Sequence, residues 1–577
     1  MIEAIEAHWK VQQARATLMK GVARAVWKIS GIERGEGTLL ETVRVIRDRK
    51  NLAFARDWTF GELLEWAADT YRHRPFLEFG TQVFSFIEMN RRANRVAHNL
   101  MELGIGENVG VAIMMGNHPR FLDTFFAVQK LGGYVVPVNT ALVGDGLQYI
   151  LEHSQIRFVV CDHESAEQVA CVREQLPDVT QVWVNTDEAQ GSFTLPDGML
   201  DYAELERGTA AHGDNVRREI KLGTPSLLLY TSGTTGLPKA VVSPYGGQRV
   251  KNLGLLSNLL YTQEDKLYTC LPLFHANALM LSVMNALWIG IALTLKKRFS
   301  ASRFWQELGE CGATQFNTVG SMIPILLKTA PGRADRAHKV RRVISAACPK
   351  DAWVPFEQRF GVTLWEGYGA VDGAGVTIFN AGNAPIGSLG KLPRGVKWRL
   401  VDEQGKEVGE GESGELWVFV GDKRESRVEY WRNDKASSDK VVDGWLRSGD
   451  LMQRDAKGFL YFVGRNTDSM RRRGENVSAY EVEKVVDQHP DVLESAAFGV
   501  PSPVGEQDIM ICVVPVDGKQ IDARGLARFL QERLPKYAQP SHLDVVSELP
   551  KTGTHRVIKA ALKKRGVTDA TVSLEGL

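Results

Sequence analysis

An α/β fold is predicted for most of this chain: a large N-terminal domain of parallel sheets covered by helices, followed by a small β-barrel or antiparallel subdomain and a compact α+β C-terminal unit. Three observations predict it. From Phe76 onward, short apolar runs alternate with amphipathic segments, the rhythm of strand–helix–strand units whose sheet is buried on both faces. The chain has 577 residues, too many for one hydrophobic core, so several domains are expected. Its texture changes near Gly387 and again after Gly464, toward shorter strands and glycine-rich turns.

Residues 1–50 read as a helical extension. Lys10, Lys20, Arg24 and Lys28 share one face; Val11, Leu18 and Val22 lie roughly opposite, with Trp9 and Trp27 at the margin. Such a helix suits packing on its own domain or a partner, or peripheral membrane contact. Within the large domain, 51–463, residues 109–115 form a buried strand and 119–131 the helix after it; 134–138 and 158–161 continue the alternation. Residues 276–295 are largely apolar and are followed by Lys296, Lys297 and Arg298, which alone resembles a membrane span. Asn277, Asn285 and Gly290 interrupt the run, so a buried helix followed by a buried strand is expected. Residues 396–401, 414–420 and 458–463 read as strands of the small subdomain. In the C-terminal domain, 464–577, residues 480–489 and 523–534 read as helices, and 494–500 and 509–515 as strands.

Hydrophobic residues make up 44% of the chain and charged residues 24%, values of an ordinary globular protein. A net charge of +1 gives no field that would recommend a nucleic acid. Cys161, Cys171, Cys270, Cys311, Cys348 and Cys512 lie far apart with no Cys-x-x-Cys pair. This argues against a zinc site or disulfide framework and for a reducing compartment. No basic stretch followed by an apolar core marks a secretory signal at the start, and a cytoplasmic location is expected.

Between Leu227 and Lys239 an apolar run feeds Thr231, Ser232, Gly233, Thr234, Thr235 and Gly236, then Leu-Pro and Lys239. Glycines let a backbone approach an anion, and peptide N–H groups, hydroxyls and one ammonium donate to it. The pattern suits a polyphosphate, although it is not a Walker loop, which needs Gly-x-x-x-x-Gly-Lys-Ser/Thr.

With that loop, Pro272-Leu273-Phe274-His275, Gly367-Tyr368-Gly369, Gly414-Glu415-Leu416-Trp417, Ser448-Gly449-Asp450, Gly464-Arg465 and Arg473-Gly474-Glu475-Asn476-Val477 resemble, in order and spacing, the motifs of the adenylate-forming superfamily. The stretch through Ser478 is most similar to the acyl-CoA synthetases, including fatty-acid and carnitine-type CoA ligases. The resemblance implies a two-step reaction. A carboxylate attacks the α-phosphate of Mg·ATP to give acyl-AMP and pyrophosphate. A mobile C-terminal domain then rotates about a hinge near Thr467 and Asp468, and the thiol of coenzyme A displaces AMP. It also implies that residues 231–239 wrap the β- and γ-phosphates, that Tyr368 stacks on adenine between Gly367 and Gly369, that Asp450 takes the ribose hydroxyls, and that Arg465 braces the nucleotide. Gly474 leaves room for pantetheine, His275 lies between acyl pocket and thiol tunnel, and Asp372 is the Mg²⁺ carboxylate. Asn277, Phe316, Val319, Ser321, Ala346 and Ala347 are implied pocket residues, and Ser345, Ala346 and Ala347 are small enough to admit a bulky acid.

Four positions depart from the family pattern, all on phosphate or carboxylate chemistry. The usual Thr-Glu after the adenine aromatic is Val371-Asp372, which deletes a hydroxyl and shortens an acid. The C-terminal loop reads Pro550-Lys551-Thr552-Gly553-Thr554-His555-Arg556, with His555 for a glycine and Arg556 for the family's catalytic lysine. A planar guanidinium does not replace a compact ammonium freely at a tight site, and one misplaced donor can cost about 2.7–4 kcal/mol of transition-state stabilisation. The expectation is an acyl-CoA ligase with intact thioesterification and weak adenylation, supplied with acyl-AMP by a separate adenylating enzyme. The departure also resembles acyl-CoA ligases of diterpenoid-antibiotic pathways. Three readings stay open beside it: a complete two-step synthetase, in which Arg556 suffices or Lys559 stands in; transfer to a carrier protein; and a non-catalytic nucleotide- or acyl-binding protein.

Overall fold

The computed structural model describes residues 58–189, 193–231, 238–246, 253–254, 257–258, 260–320, 322–421, 428–465, 469–472, 475–502, 507–551 and 557–575. The expected N-terminal extension, 1–50, lies outside them.

The large domain holds two sheets. The seven-stranded sheet runs in the order Leu200–Asp201, Gln181–Asn185, Ile156–Asp162, Gly110–Met114, Tyr134–Pro137, Pro225–Thr231 and Lys239–Pro244. All its pairings are parallel except the last. The eight-stranded sheet runs Thr377–Asn380, Thr363–Gly369, Arg342–Ala346, Gln315–Val319, Leu267–Thr269, Leu293–Leu295, Pro75–Phe79 and Gln82–Ser85. Its interior is parallel, with one antiparallel strand at each edge. Apolar strands such as Gly110–Met114, buried at every residue, require cover on both faces.

Helix Pro119–Leu131 is buried along its whole length, as a helix enclosed between layers must be. Proline at its first turn needs no N–H partner. The His118 ring nitrogen accepts from Arg120 N, and Gly132, at φ 78°, closes the far end in the left-handed region. Its buried charges are paired: Asp123 takes Arg92, and Arg120 takes Glu206 at 2.6 Å.

The apolar stretch 276–295 breaks as expected. Asn277–Met284 is wound as a π-helix, Asn285–Ile289 continues as an α-helix, and Gly290 at φ 79° turns the chain into strand Leu293–Leu295. Among the described residues no helix is long and apolar enough to cross a membrane.

The small subdomain is a five-stranded antiparallel sheet of Trp398–Val401, Gly414–Phe419, Trp445–Arg454, Val441–Val442 and Leu460–Arg465. One face closes over Leu400, Leu416, Val418, Met452 and Leu460. Beyond it come the hairpin Ser469–Arg472 and Glu475–Ser478, then a sheet of Val492–Pro501, Gln507–Pro515, His542–Val545 and Val572–Ser573. Helices Ala479–Val486 and Ala523–Gln531 bury one apolar stripe each against that sheet. This unit meets the large domain through Lys328, whose Nζ donates to the carbonyls of Val492 and Leu493 at 2.5 and 2.9 Å.

Candidate functional site

In open α/β sheets ligands bind outside the carboxyl ends of the parallel strands. Here those ends deliver the motifs to one region. Pro225–Thr231 delivers Thr231, Gln315–Val319 delivers Val319, Arg342–Ala346 delivers Ala346 and Ala347, and Thr363–Gly369 delivers Tyr368.

The glycine- and hydroxyl-rich loop joins two antiparallel neighbours, with Thr231 opposite Lys239. A strand, not a helix, begins at Lys239. Ser232, Gly233, Thr234, Thr235 and Gly236 lie outside the described residues. The loop's ends are tied down: Thr231 Oγ1 donates to Lys239 O at 3.3 Å, and Tyr149 OH donates to Pro238 O at 3.2 Å. The stretch around Tyr430 pairs with the outer strand, through Val242 N to Glu429 O at 2.9 Å and Trp431 N to Ala240 O at 2.8 Å. This puts the Tyr430 ring 5.6 Å from the Lys239 ammonium.

Tyr368, Asp450 and Arg465 come together where the eight-stranded sheet meets the antiparallel one. Tyr368 OH donates to Asp450 Oδ2 at 2.7 Å, and Arg465 Nε lies 3.4 Å from Asp450 Oδ1. Asp450 and Arg465 face each other across adjacent strands beside a register irregularity. Gly449, at φ 81°, lies within strand Trp445–Arg454 at an irregularity of its pairing with Gly414–Phe419, and its N–H donates to Glu415 Oε1 at 2.8 Å. Asp450 is buried. That burial raises its pKa although Arg465 and the Tyr368 hydrogen bond pull it down. At Gly367 a Cβ would meet the Phe379 ring at 3.0 Å, so that ring would have to give; Gly369 has ordinary room.

Asp372 follows in the next turn. Its Oδ2 accepts from Tyr430 OH at 2.6 Å and lies 2.8 Å from Lys440 Nζ. Burial opposes its charge, but Lys440 and the Tyr430 hydroxyl hold its pKa below the usual value. A Mg²⁺ that keeps substrate phosphates and waters as ligands needs only one or two protein carboxylates, and Asp372 can offer one. One oxygen already carries two donors, and among the described residues no group of three or more His, Cys, Asp and Glu side chains is placed to hold a metal ion.

His275 is half-buried at the entry to the π-helix, its ring 4.6 Å from that of Phe274. Wide π-turns occur often at functional sites, and Asn277, inside this one, has a buried Oδ1 with no hydrogen-bond partner among the described residues. Val319 and Ala346 are partly exposed and Ala347 is exposed. Phe316 is 1% exposed and packs edge-on against Phe304, with ring centroids 5.0 Å apart. It is part of the aromatic core of the large domain. The small residues also pack closely here: a Cβ at Gly320 would lie 2.2 Å from Ala347 O. Ala347 holds φ 69°, and the buried Glu366 carboxylate takes its N–H at 2.5 Å and that of Cys348 at 3.2 Å. Burial pushes the Glu366 pKa up to about 7.

Ser321, Thr467, Asp468, Gly474 and Arg556 lie outside the described residues. Lys559 Nζ is 2.8 Å from Glu483 Oε1. Tyr430, Lys440 and Glu366 are not among the residues that the motifs mark. Glu366 directly precedes the Gly-Tyr-Gly motif and was legible as a neighbour; Tyr430 and Lys440 carry no motif and reach the site only through strand pairing.

Two family models match the chain: AMP-binding enzyme over residues 64–419 and the AMP-binding enzyme C-terminal domain over 481–556. The chain belongs to the AMP-binding enzymes of the adenylate-forming superfamily, as an acid–thiol ligase of the acyl-CoA ligase type. A steroid-22-oyl-CoA synthetase of Rhodococcus jostii (strain RHA1) is 34% identical over 79% of this chain and 82% of its own length. A crotonobetaine/carnitine–CoA ligase of Shigella flexneri is 28% identical over 86% of this chain and 97% of its own. Among solved structures, an anthranilate CoA ligase in complex with anthranoyl-AMP shares the fold, with a TM-score of 0.77 at 23% identity over 88% of this chain and 97% of that one.

Proposed function

We propose that this protein makes an acyl-CoA from a carboxylic acid through acyl-AMP, with the thioester-forming half-reaction strong and the adenylating half weak. The observation that carries the nucleotide part is the triad of Tyr368, Asp450 and Arg465 beside the anchored loop ends Thr231 and Lys239. A buried carboxylate accepts only and suits a pair of ribose hydroxyls; the tyrosine ring beside it suits a purine. In the first half-reaction, an oxygen of the acid attacks the α-phosphorus of ATP and the bond to pyrophosphate breaks. In the second, the sulfur of coenzyme A attacks the acyl carbonyl and AMP leaves with the electron pair. The C-terminal domain alternates between them about Thr467 and Asp468, bringing first Arg556 and then the Gly474 segment to the nucleotide. Mg²⁺, bound with the phosphates of ATP, would be held on the protein side by Asp372 and would offset the phosphate charge.

Arg556 in place of lysine, Val371 in place of threonine and the shorter Asp372 support weak adenylation. A separate enzyme then supplies acyl-AMP. The resemblance to a steroid-22-oyl-CoA synthetase supports a bulky polycyclic acid as substrate, with Asn277, Val319, Ser321, Ala346 and Ala347 lining its pocket.

The test compares a panel of acids with ATP and coenzyme A against preformed acyl-AMP with coenzyme A. Thioester is expected faster from acyl-AMP by about 10²–10³, the scale of one misplaced transition-state donor. Arg556→Lys is expected to recover much of that factor in pyrophosphate exchange. Equal rates from the two starting points would overturn weak adenylation; no thioester from either would overturn the ligase reading.

A further inference from the structure

Lys440 has no part in the scheme above, yet it lies inside the site. It ends the short helix Asp434–Lys440, which Asn433 caps by accepting from Ala436 N at 3.0 Å. That helix is joined to Tyr430, whose N–H donates to Ser437 Oγ at 2.8 Å. Tyr430 is in turn fixed to strand Lys239–Pro244. The helix, the tyrosine and the edge strand therefore hold the lysine in place together.

The Lys440 side chain is 12% exposed, unlike the free, hydrated end of a surface lysine. Its Nζ contacts Asp372 Oδ2 at 2.8 Å and Ser448 O at 3.2 Å. An ammonium has three donors, and the third has no partner among the described residues. On one side stands Tyr430, bonded to Asp372 and under the Lys239 ammonium. On the other stands Ser448, whose Oγ accepts from Asp450 N at 3.0 Å. Lys440 thus lies between the lysine that closes the polyphosphate loop and the carboxylate suited to ribose. A nucleotide's first phosphate has to cross that interval. Two carboxylates border it, Asp372 and Asp450, and an incoming phosphate needs a local cation to offset them.

We propose that Lys440 is a phosphate-binding residue. Its ammonium neutralises Asp372 and donates to the phosphate attached to the ribose. The inference rests on the nucleotide-site reading proposed above. It gives the chain an ammonium at the phosphate on the large domain, independent of Arg556 on the C-terminal one.

The test is calorimetric titration of the full-length protein with AMP and with adenosine, in EDTA, for the wild type, Lys440→Met, Lys440→Arg, and Lys440→Met combined with Asp372→Asn. A hydrogen bond to a charged group corresponds to roughly tenfold to a hundredfold in affinity. Lys440→Met is expected to weaken AMP by that factor and leave adenosine within about twofold, with Lys440→Arg intermediate for AMP. The double variant is expected to stay weak for AMP, because removing the negative charge of Asp372 does not restore the lost donor. Unchanged AMP affinity in Lys440→Met would overturn the proposal. So would a parallel loss of AMP and adenosine, which marks a structural role, or full recovery of AMP binding in the double variant, which reduces Lys440 to a shield for Asp372. A wild-type protein that binds neither compound would overturn the nucleotide-site reading itself, and this proposal with it.

Discussion

Replacing Glu366 by glutamine tests how the turn beneath the expected acyl pocket is held. Glu366 is 2% exposed and carries no ion pair among the described residues; its carboxylate accepts the N–H groups of Ala347 and Cys348. Burial dominates those bonds and moves the group from 4.5 to about 7. Folding therefore favours the protonated acid. The contribution of this group to stability is complete below pH 4.5 and is lost as pH rises through about 7, because the unfolded chain can ionise freely and the native one cannot. At 1.36 kcal/mol per pKa unit the full contribution is about 3 kcal/mol, as an upper bound. Glutamine keeps the shape and the acceptor oxygen but does not ionise. The assay is urea unfolding followed by tryptophan fluorescence from pH 5.5 to 8.5. Wild type is expected to lose stability across that window, and Glu366→Gln to lose distinctly less. Asp487, half-buried and also raised to about 7, contributes in the same direction, so Asp487→Asn in the Glu366→Gln background should flatten the profile further. Superimposable pH profiles for wild type and Glu366→Gln would refute the reasoning.

Asp450→Asn should weaken AMP and adenosine together by about tenfold to a hundredfold, the loss of hydrogen bonds to a charged acceptor; calorimetry reads it, and a loss confined to AMP would contradict the ribose assignment. Lys328→Met removes the ammonium that spans to the carbonyls of Val492 and Leu493. Faster tryptic cleavage near residues 466–468 is expected, together with a changed ratio of pyrophosphate exchange to thioester formation; no change in either would show that this contact does not hold the arrangement of the two domains.

Much of the scaffold was legible before any coordinates. Continuous apolar runs such as 109–115 can be satisfied only by a strand covered on both faces, and Gly110–Met114 is that strand. Asn277, Asn285 and Gly290 divided a span-like stretch, and the chain turns at Gly290. The motif residues Tyr368, Asp450 and Arg465 were singled out one by one along the chain, and they meet in space. Periodicity alone did not reveal that 277–284 winds as π-turns, because the 3.6-residue pattern and the wider one bury nearly the same side chains in a largely apolar segment. Phe316, an implied pocket residue, packs into the layer of Phe304 and Trp305, a contact that its position along the chain did not reveal. The face a residue takes depends on register, which strand ends leave loosely specified.

Local chemistry along the chain determined the class of this protein: small hydroxyl and glycine residues before a lysine, acids and arginines at fixed spacing, and apolar runs of strand length. Each is a property of neighbouring residues and survives in one dimension. Only the tertiary structure decided that Tyr430 and Lys440 share a site with Asp372, and that Glu366 supports the turn at Ala347. Those contacts join residues from 19 apart, for Glu366 and Ala347, to 58 apart, for Tyr430 and Asp372, and further for Lys440. They follow from which strands lie side by side, and a buried carboxylate takes whatever donor that packing brings within reach.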